Sequence, residues 1–505
     1  MPATITDKFK RILLDDLYAS FDNTGKTKGD SDHYVIAIGR SEDWNDPNGV
    51  PPTPFPDLET TREFQHSMQA FKKTLDISYV VPRHNWSAGS VYTAWSDKMH
   101  SDTKIGPFDD IIGPYYVITD ENNVYVCLQQ GMTEEGVIRN SIYKPTTVSH
   151  APFAAGPDGY IWKFLYNVGT YNSRRYLTSH WQPVEFILDS SLGGPAADEL
   201  SASRLAQLGV QLNATPGEIL GVEIVNPGNG YDPLNPPTIT FHGDYDSAAE
   251  YGEAKAYTRV DNNGEIFQVI MKDSADGRFR FGEGYGSRTW ATLSSVSGQE
   301  GEVRPIVHTD EGGFGYDPRN DLNTGSMMYS VRIIGDEYKV FNVKNDFRQV
   351  GLIKNPLKDS ARDVAFSGDS YVTGLRGTAL QKLFVGDGIF ADKTNVDNVV
   401  TGLTSGAKGI VDYYDVYVDS DCCDSLQNTT RQVLYVHQNY DTGFENFDSG
   451  ETIELSDGGG SAVLRKSPKY SDIDKYSGTV MYVDNRVKIE RDEDQTEDIK
   501  IVIEL

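Results

Sequence analysis

Only two stretches of this 505-residue chain repeat apolar residues at helical spacing. Nearly everything else alternates short β-branched and aromatic runs with Gly, Pro, Asn and Asp, a pattern that fits pleated strands joined by turns. The runs include "HYVIAIG", "ISYVVP", "YYVIT", "NVYVCLQ", "YIWKFLYNV", "VEIV", "TITF", "VLYVHQ" and the closing "IKIVIEL". In the last, Ile499, Ile501, Ile503 and Leu505 point one way and Lys500, Val502 and Glu504 the other, as in a half-buried strand. That alternation predicts a C-terminus held in a sheet. The first helical stretch, Thr6 to Phe21, aligns Phe9, Ile12, Leu13 and Leu17 as one stripe expected to pack on the chain's own sheet, with a membrane or a partner helix as alternatives. The second is "TTREFQHSMQAFKKTL", where Thr60 and Glu63 have capping-box spacing ahead of Phe64, Met68, Phe71 and Leu75.

The length predicts about three folding units. With 74 acidic against 46 basic residues, the net charge of −28 repels phosphate backbones and anionic lipid, so neither nucleic acid nor membrane insertion is expected. Cys127, Cys422 and Cys423 fit neither a disulfide framework nor a zinc site, which points to a reducing compartment. The N-terminus lacks the apolar core of a signal peptide, and no apolar run reaches the ~18 residues that span a bilayer. Manufacture in a cytoplasm is the expectation. The sequons "NWS", "NAT" and "NTT" carry little weight without an export signal.

Between about residues 200 and 325 the unit Gly-x-Gly-Tyr recurs as "GNGYDP" from Gly228, "GEGYGS" from Gly282 and "GFGYDP" from Gly313. A phosphate-cradling loop follows a strand and opens a helix, because the helix N-terminus supplies oriented amides. None of the three opens a recognisable helix, so they read as strand connectors built on φ-permissive glycine. The first two copies start 54 residues apart and resemble a loosely duplicated β-module. Asn262-Asn263-Gly264 reads as a hairpin turn. A second loose pair, "FVGDGIF…GLTSGAKGIV" and "FDSGETIELSDGGGSAVL", predicts another β-rich unit from about 366 to 470.

Catalytic signatures fail on inspection. "SFDNTGKT" ends like a nucleotide P-loop, but Ser20 replaces the first glycine and a helix precedes it. "DSDCCD" places Asp419, Asp421 and Asp424 together, yet a calcium loop needs glycine where Asp424 stands. The nine histidines show no metal-ligand spacing; His84 reads as a surface or hydrogen-bonded residue. A Gly-x-Ser-x-Gly elbow is absent, and the adjacent cysteines lie in an acidic loop that disfavours the thiolate. Paired carboxylates for glycoside cleavage are uninformative among 74 acidic residues. No catalytic residue, cofactor or metal is assigned.

Five stretches in order carry a resemblance: "YVIAIGRSEDW" (Tyr34–Trp44), "VVPRHNW" (Val80–Trp86), "GYIWKFLYNV" (Gly159–Val168), "NDFRQVGLIKNPL" (Asn345–Leu357) and "SGTVMYVDNRVKIERDEDQTEDIKIVIEL" (Ser477–Leu505). Together they resemble the baseplate wedge subunit of T-even-type contractile-tailed bacteriophages, a homodimer of β-sandwich domains. The last is the most specific. The resemblance implies a mainly β, multi-domain β-sandwich architecture with a few peripheral helices and inserted β-rich modules. Residues 1–195 would form a wedge core with two N-terminal helices, 196–325 an inserted module with the Gly-x-Gly-Tyr turns, 326–365 a return to the core, 366–470 a second inserted module, and 471–505 the closing strands. The two modules lie outside the resemblance.

The motif positions it marks as structural or interface residues are Gly39, Arg40, Trp44, Arg83, Trp86, Trp162, Arg348, Asn355, Asn485, Arg486, Gln495 and Glu497. Arg40, Arg83 and Arg486 stand beside Trp or Asn at expected strand ends, where a guanidinium bridges carbonyls or carboxylates. These positions read either as locks internal to the fold or as intersubunit contacts. The implied function is a non-enzymatic virion protein of the tail baseplate, assembled in the bacterial cytoplasm, with itself and other wedge proteins as partners. The alternative is a tail-associated carbohydrate-binding or carbohydrate-degrading β-protein.

Overall fold

A computed structural model describes the chain except residues 1–4, 22–31, 47, 75, 100–112, 189–195, 197–199, 246, 248–251, 338, 360–374, 387–395, 420–428 and 457–459. The fold is mainly β, with twenty-five strands and five helices among the described residues. The chain divides into two compact units, the first made of residues 1–14, 78–328 and 502–505, the second of 15–77 and 329–501.

The second unit holds two antiparallel sheets. One has five strands in the order Arg376–Thr378, Met68–Lys73, Tyr34–Gly39, Phe347–Lys354, Thr479–Ile489. Val35, Ala37, Phe64, Met68, Phe71, Ile353, Ala379 and Ile473 form a buried cluster on this sheet. Gly351 leaves room there for the Phe64 ring, which a Cβ would strike. The other sheet has six strands in the order Gln381–Phe384, Thr429–His437, Lys408–Asp419, Val399–Gly402, Thr452–Leu455, Gly460–Val463. Its core runs through Leu383, Val400, Val411, Leu434, Val436 and Ile453.

The second helical stretch is shorter than its pattern predicts. The helix covers Leu58–Ser67, capped by the Asp57 side chain accepting from Thr60 N at 2.8 Å, and Met68–Lys73 is a strand. That strand lies between Tyr34–Gly39 and Arg376–Thr378, so its backbone is paired on both edges. Pairing on two sides outweighs local helical preference.

The first unit contains a four-stranded antiparallel sheet in the order Tyr116–Ile118, Asn123–Gln129, Ile161–Asn167, Phe153–Ala154. Tyr92, Val117, Tyr125, Tyr160, Trp162 and Phe164 pack as its core, joined by Val210 from the helix Ala202–Leu212. Leu205, Leu208 and Leu212 recur at helical spacing in that helix, a period beyond the two read from the sequence; Leu205 and Leu212 are exposed, and the buried face carries Gln207 and Gln211, whose amides donate to Glu185 O at 2.6 Å and Ile187 O at 3.0 Å. A further helix at Thr170–Tyr176 and a single turn at Pro318–Asp321 also lie outside the two periodic stretches.

The Gly-x-Gly-Tyr units are turns. Gly228, Gly230, Gly282, Gly284, Gly313 and Gly315 all have positive φ, between 67° and 97°. A Cβ on Gly228 would lie 2.6 Å from Cε2 of Tyr231, and one on Gly282 2.6 Å from Cε2 of Tyr285. Each tyrosine thus folds over its own turn, and its hydroxyl accepts a backbone N–H, from Gly301 and Ala254 respectively, at 3.0 Å. The first two copies therefore share one local structure. Around Asn262-Asn263-Gly264 the strands Tyr257–Val260 and Ile266–Ile270 pair as a hairpin.

The N-terminal helix, Asp7–Phe21, overturns one expectation. Phe9, Ile12 and Leu13 are exposed, and the buried residues are Arg11 and Leu14. The helix is rotated because the Arg11 guanidinium is drawn inward, bonding Asp317 at 3.4 Å and lying 5.0 Å from the Tyr79 ring centre. At the other end of the chain, Thr496–Glu504 is a strand, with Gln495 O accepting from Gly335 N and Leu505 N donating to Gly325 O. Ile501 is its buried residue, while Leu505 is exposed.

Candidate functional site

Three motifs separated by hundreds of residues meet in the second unit. "YVIAIG", "FRQVGLIK" and "TVMYVDNRVKI" are three neighbouring strands of the five-stranded sheet. Gly39 ends the first where a Cβ would lie 2.7 Å from Ser67 O, so only glycine allows the approach. Arg40 follows with φ 59°, its amide donating to Ser67 O at 2.9 Å and its guanidinium lying 4.2 Å from the Trp44 ring centre. Trp44 is 8% exposed, and its Nε1 donates to Arg486 O at 2.8 Å. Arg348, buried, donates to Ser41 O and to the carboxylates of Asp346 and Asp43. Asn485 accepts from Gln349 Nε2 and donates to Pro52 O, both at 2.9 Å. The Arg486 side chain, more exposed, reaches Asp484.

Asn355 has φ 54° and closes the far end of the same sheet: its Oδ1 accepts from His33 N and its Nδ2 donates to Asp32 Oδ1, each at 2.7 Å. Gln495 Oε1 accepts from Asp492 N at 3.1 Å. Glu497 accepts from Arg491 Nε at 2.5 Å, while the buried Arg491 donates to Phe341 O at 3.0 Å and Gly335 O at 2.6 Å. Arg491 lies inside a quoted motif, yet nothing in its local sequence marked it as a guanidinium that bridges a carboxylate and two carbonyls.

Arg83, Trp86 and Trp162 belong to the first unit and share no site with the others. Arg83 donates to Asn85 Oδ1 and Thr178 O at 2.8 Å, as its residue type predicts. Trp86 Nε1 donates to Ser141 Oγ at 3.3 Å. Trp162 is fully buried, stacked on Tyr160 and edge-on to Tyr92. Most of the donors in both sets go to the chain's own backbone and side chains, while Trp162 Nε1 and Arg40 Nε are buried without a partner among the described residues.

Two buried ionisable centres escaped sequence reasoning. In the second unit His437 is 1% exposed; its Nδ1 lies 2.7 Å from Asp412 Oδ2 and its Nε2 3.0 Å from Glu42 Oε1. Burial alone would lower the imidazole's pKa, but the two carboxylates outweigh it and hold it at about 10. Burial would likewise raise Glu42, and His437 pulls it down to about 2. Since both ring nitrogens serve carboxylates, neither is left to take a proton from a substrate. Ser41 Oγ donates to Asp412 Oδ1 at 3.3 Å, tying the loop after Gly39 to this centre.

In the first unit His308 Nε2 lies 3.4 Å from Asp321 Oδ1 and 3.9 Å from Asp310 Oδ2, beside Trp95 and Phe314. Burial and then the Lys163 charge push His308 down, against Asp310, to about 4; burial holds the Asp321 carboxyl well above the usual range. The His308 imidazole is therefore neutral at pH 7. Asp321 Oδ2 accepts from Gly315 N at 2.9 Å, and Lys163 Nζ donates to Phe314 O at 2.8 Å, so the third glycine turn supplies backbone partners to buried groups.

Cys127 is fully buried, and burial raises its thiol pKa, which disfavours the thiolate. His84 is half-buried, edge-on to Tyr116. The P-loop-like segment after Phe21 and the Cys422-Cys423 loop lie outside the described residues. No model of a known protein family matches the chain, and no curated protein matches it.

Proposed function

We propose that this chain is a structural, non-enzymatic subunit of a bacteriophage tail baseplate wedge. It dimerises and joins neighbouring wedge proteins during tail assembly and host attachment. The observation that supports the reading is the meeting of three family-like motifs in one sheet, closed by a bond from Trp44 to Arg486 across 442 positions. Residues that spend their donors on fixing a sheet serve shape, and a subunit that works by shape acts through interface free energy. Obligate interfaces often bury more than about 2,000 Å². A twofold dimer would use one self-complementary patch and offer other faces to its neighbours.

Static light scattering of the purified chain, run beside a glycan-hydrolysis screen, tests the proposal. The expected result is twice the 56.0 kDa chain mass and no released sugar. A monomer at every concentration, or hydrolysis, would sink it.

A further inference from the structure

Around one cavity of the second unit, aromatic rings are exposed together rather than singly. The cavity, of about 130 Å³, is lined by Gln381, Phe444, Asn446, Tyr470, Lys475 and Tyr476 among others. Phe444, Tyr470 and Tyr476 are 46%, 48% and 42% exposed, and Tyr440 beside them is 61% exposed. The buried His66 ring holds three of them in place, with centroid separations of 4.6 Å to Tyr440, 4.9 Å to Phe444 and 5.6 Å to Tyr476. Tyr440 with Phe444 and Phe444 with Tyr476 meet edge-on, so each pair covers a single ring face and leaves the others open. Clustered apolar surface of this kind marks an interaction site.

The polar groups around the rings narrow the partner. Lys475 Nζ donates to His66 O at 2.8 Å and is therefore engaged. The side-chain amides of Gln381 and Asn446 make no hydrogen bond within the chain among the described residues, so each offers a free donor pair and a free acceptor. A concave pocket with aromatic faces and a few convergent polar groups is the form small-ligand sites take. The net charge of −28 disfavours phosphorylated or other polyanionic ligands. A flat apolar protein surface would bury the two amides without partners, at a cost. A neutral sugar ring satisfies all of these at once, because its C–H face lies on an aromatic face while its edge hydroxyls both donate and accept.

We propose that this pocket binds a single neutral hexose ring, stacked on Phe444 and Tyr476 and hydrogen-bonded by Gln381 and Asn446. Gln381, Phe444, Asn446 and Tyr470 lie in the segment outside the wedge resemblance, while His66, Lys475 and Tyr476 come from stretches inside it, and the site does not depend on the chain being a wedge subunit.

The test is saturation-transfer NMR on the full chain with the methyl glycosides of glucose, galactose, mannose and N-acetylglucosamine. At least one should receive signal on its ring protons in the millimolar range. Phe444→Ala and Tyr476→Ala should each weaken it about tenfold, and Asn446→Ala, at an exposed residue, about threefold. Trp290→Ala, at an exposed ring of the first unit, should change nothing. Silence from all four glycosides overturns the proposal, as does transfer that survives Phe444→Ala, Tyr476→Ala and Asn446→Ala. A protein-docking patch would show as silent sugars with a changed light-scattering mass in the same variants, which also overturns it. Mass is read separately from sugar signal, so a failed sugar site is distinguishable from a failed dimer.

Discussion

The His437 and His308 centres are built from the same residue types, a buried imidazole and two carboxylates, and their imidazoles differ in charge. His437 has a carboxylate on each ring nitrogen at 2.7 and 3.0 Å and is held as a cation. His308 has both carboxylates on one nitrogen, at 3.4 and 3.9 Å, with Lys163 nearby, and its imidazole is neutral at pH 7. Hydrogen-bond geometry, more than the inventory of groups, decides whether burial neutralises an ion or keeps it. The two units differ similarly in how they are closed: the second by buried charged side chains such as Arg348 and Arg491, the first by glycine turns whose backbone serves Lys163 and Asp321.

The largest expected effect separates the two centres. His437→Leu leaves Glu42 and Asp412 as buried anions without their cation and should cost about 3–5 kcal/mol in denaturant unfolding. His308→Leu removes a neutral ring and should cost about 1 kcal/mol. Equal losses would break the comparison.

The glycine turns come next. Gly228→Ala and Gly282→Ala place a Cβ in the left-handed region against their own tyrosine rings, and each should cost about 2–3 kcal/mol by thermal melting. Gly230, whose Cβ would meet nothing nearer than 3.6 Å, should lose about 1 kcal/mol. Parallel losses at 228 and 282 would sharpen the view that the first two turns are copies of one device.

A pH series gives smaller slopes of opposite sign. His308 binds its proton less readily folded (about 4) than unfolded (about 6.5), so its contribution is lost as pH falls. Between pH 7 and 5 that is at most about 2 kcal/mol, and His308→Gln should flatten the fall as read by fluorescence of the adjacent Trp95. The His437 contribution is complete below about 6.5 and is lost as pH rises towards 10. The Glu42 contribution is complete above about 4.5 and is lost as pH falls towards 2. An alkaline slope that persists in His437→Leu would contradict a charged imidazole. The smallest effect is Trp44→Phe, which keeps the ring over Arg40 but loses one hydrogen bond, about 1 kcal/mol.

Strands were legible because their signal is local. "NVYVCLQ" coincides with the strand Asn123–Gln129, and the Asn-Asn-Gly turn stands where its φ-permissive glycine requires. The buried face of a helix was harder to read wherever polar residues point inward: Gln207 and Gln211 line the buried face of Ala202–Leu212 while Leu205 and Leu212 are exposed, and Arg11 turned the N-terminal helix against its apolar stripe. The end of the helix at Ser67 depended on two neighbouring strands that no window around residue 68 contains. The same limit applied to the sites. Arg40, Trp44 and Arg83 announced themselves by type and company, whereas His437 and Glu42 are 395 positions apart and meet only through the fold.

The proposed role, a chain that works by shape within a tail, makes a prediction about the particle itself. Electron microscopy of the intact particle, at a resolution that traces strands, tests it most directly. The account predicts density for the five-stranded sheet, with the last strand beside Phe347–Lys354, in the baseplate and in contact with a second copy. The same density located elsewhere in the particle, or a baseplate fully traced without this chain, would contradict it.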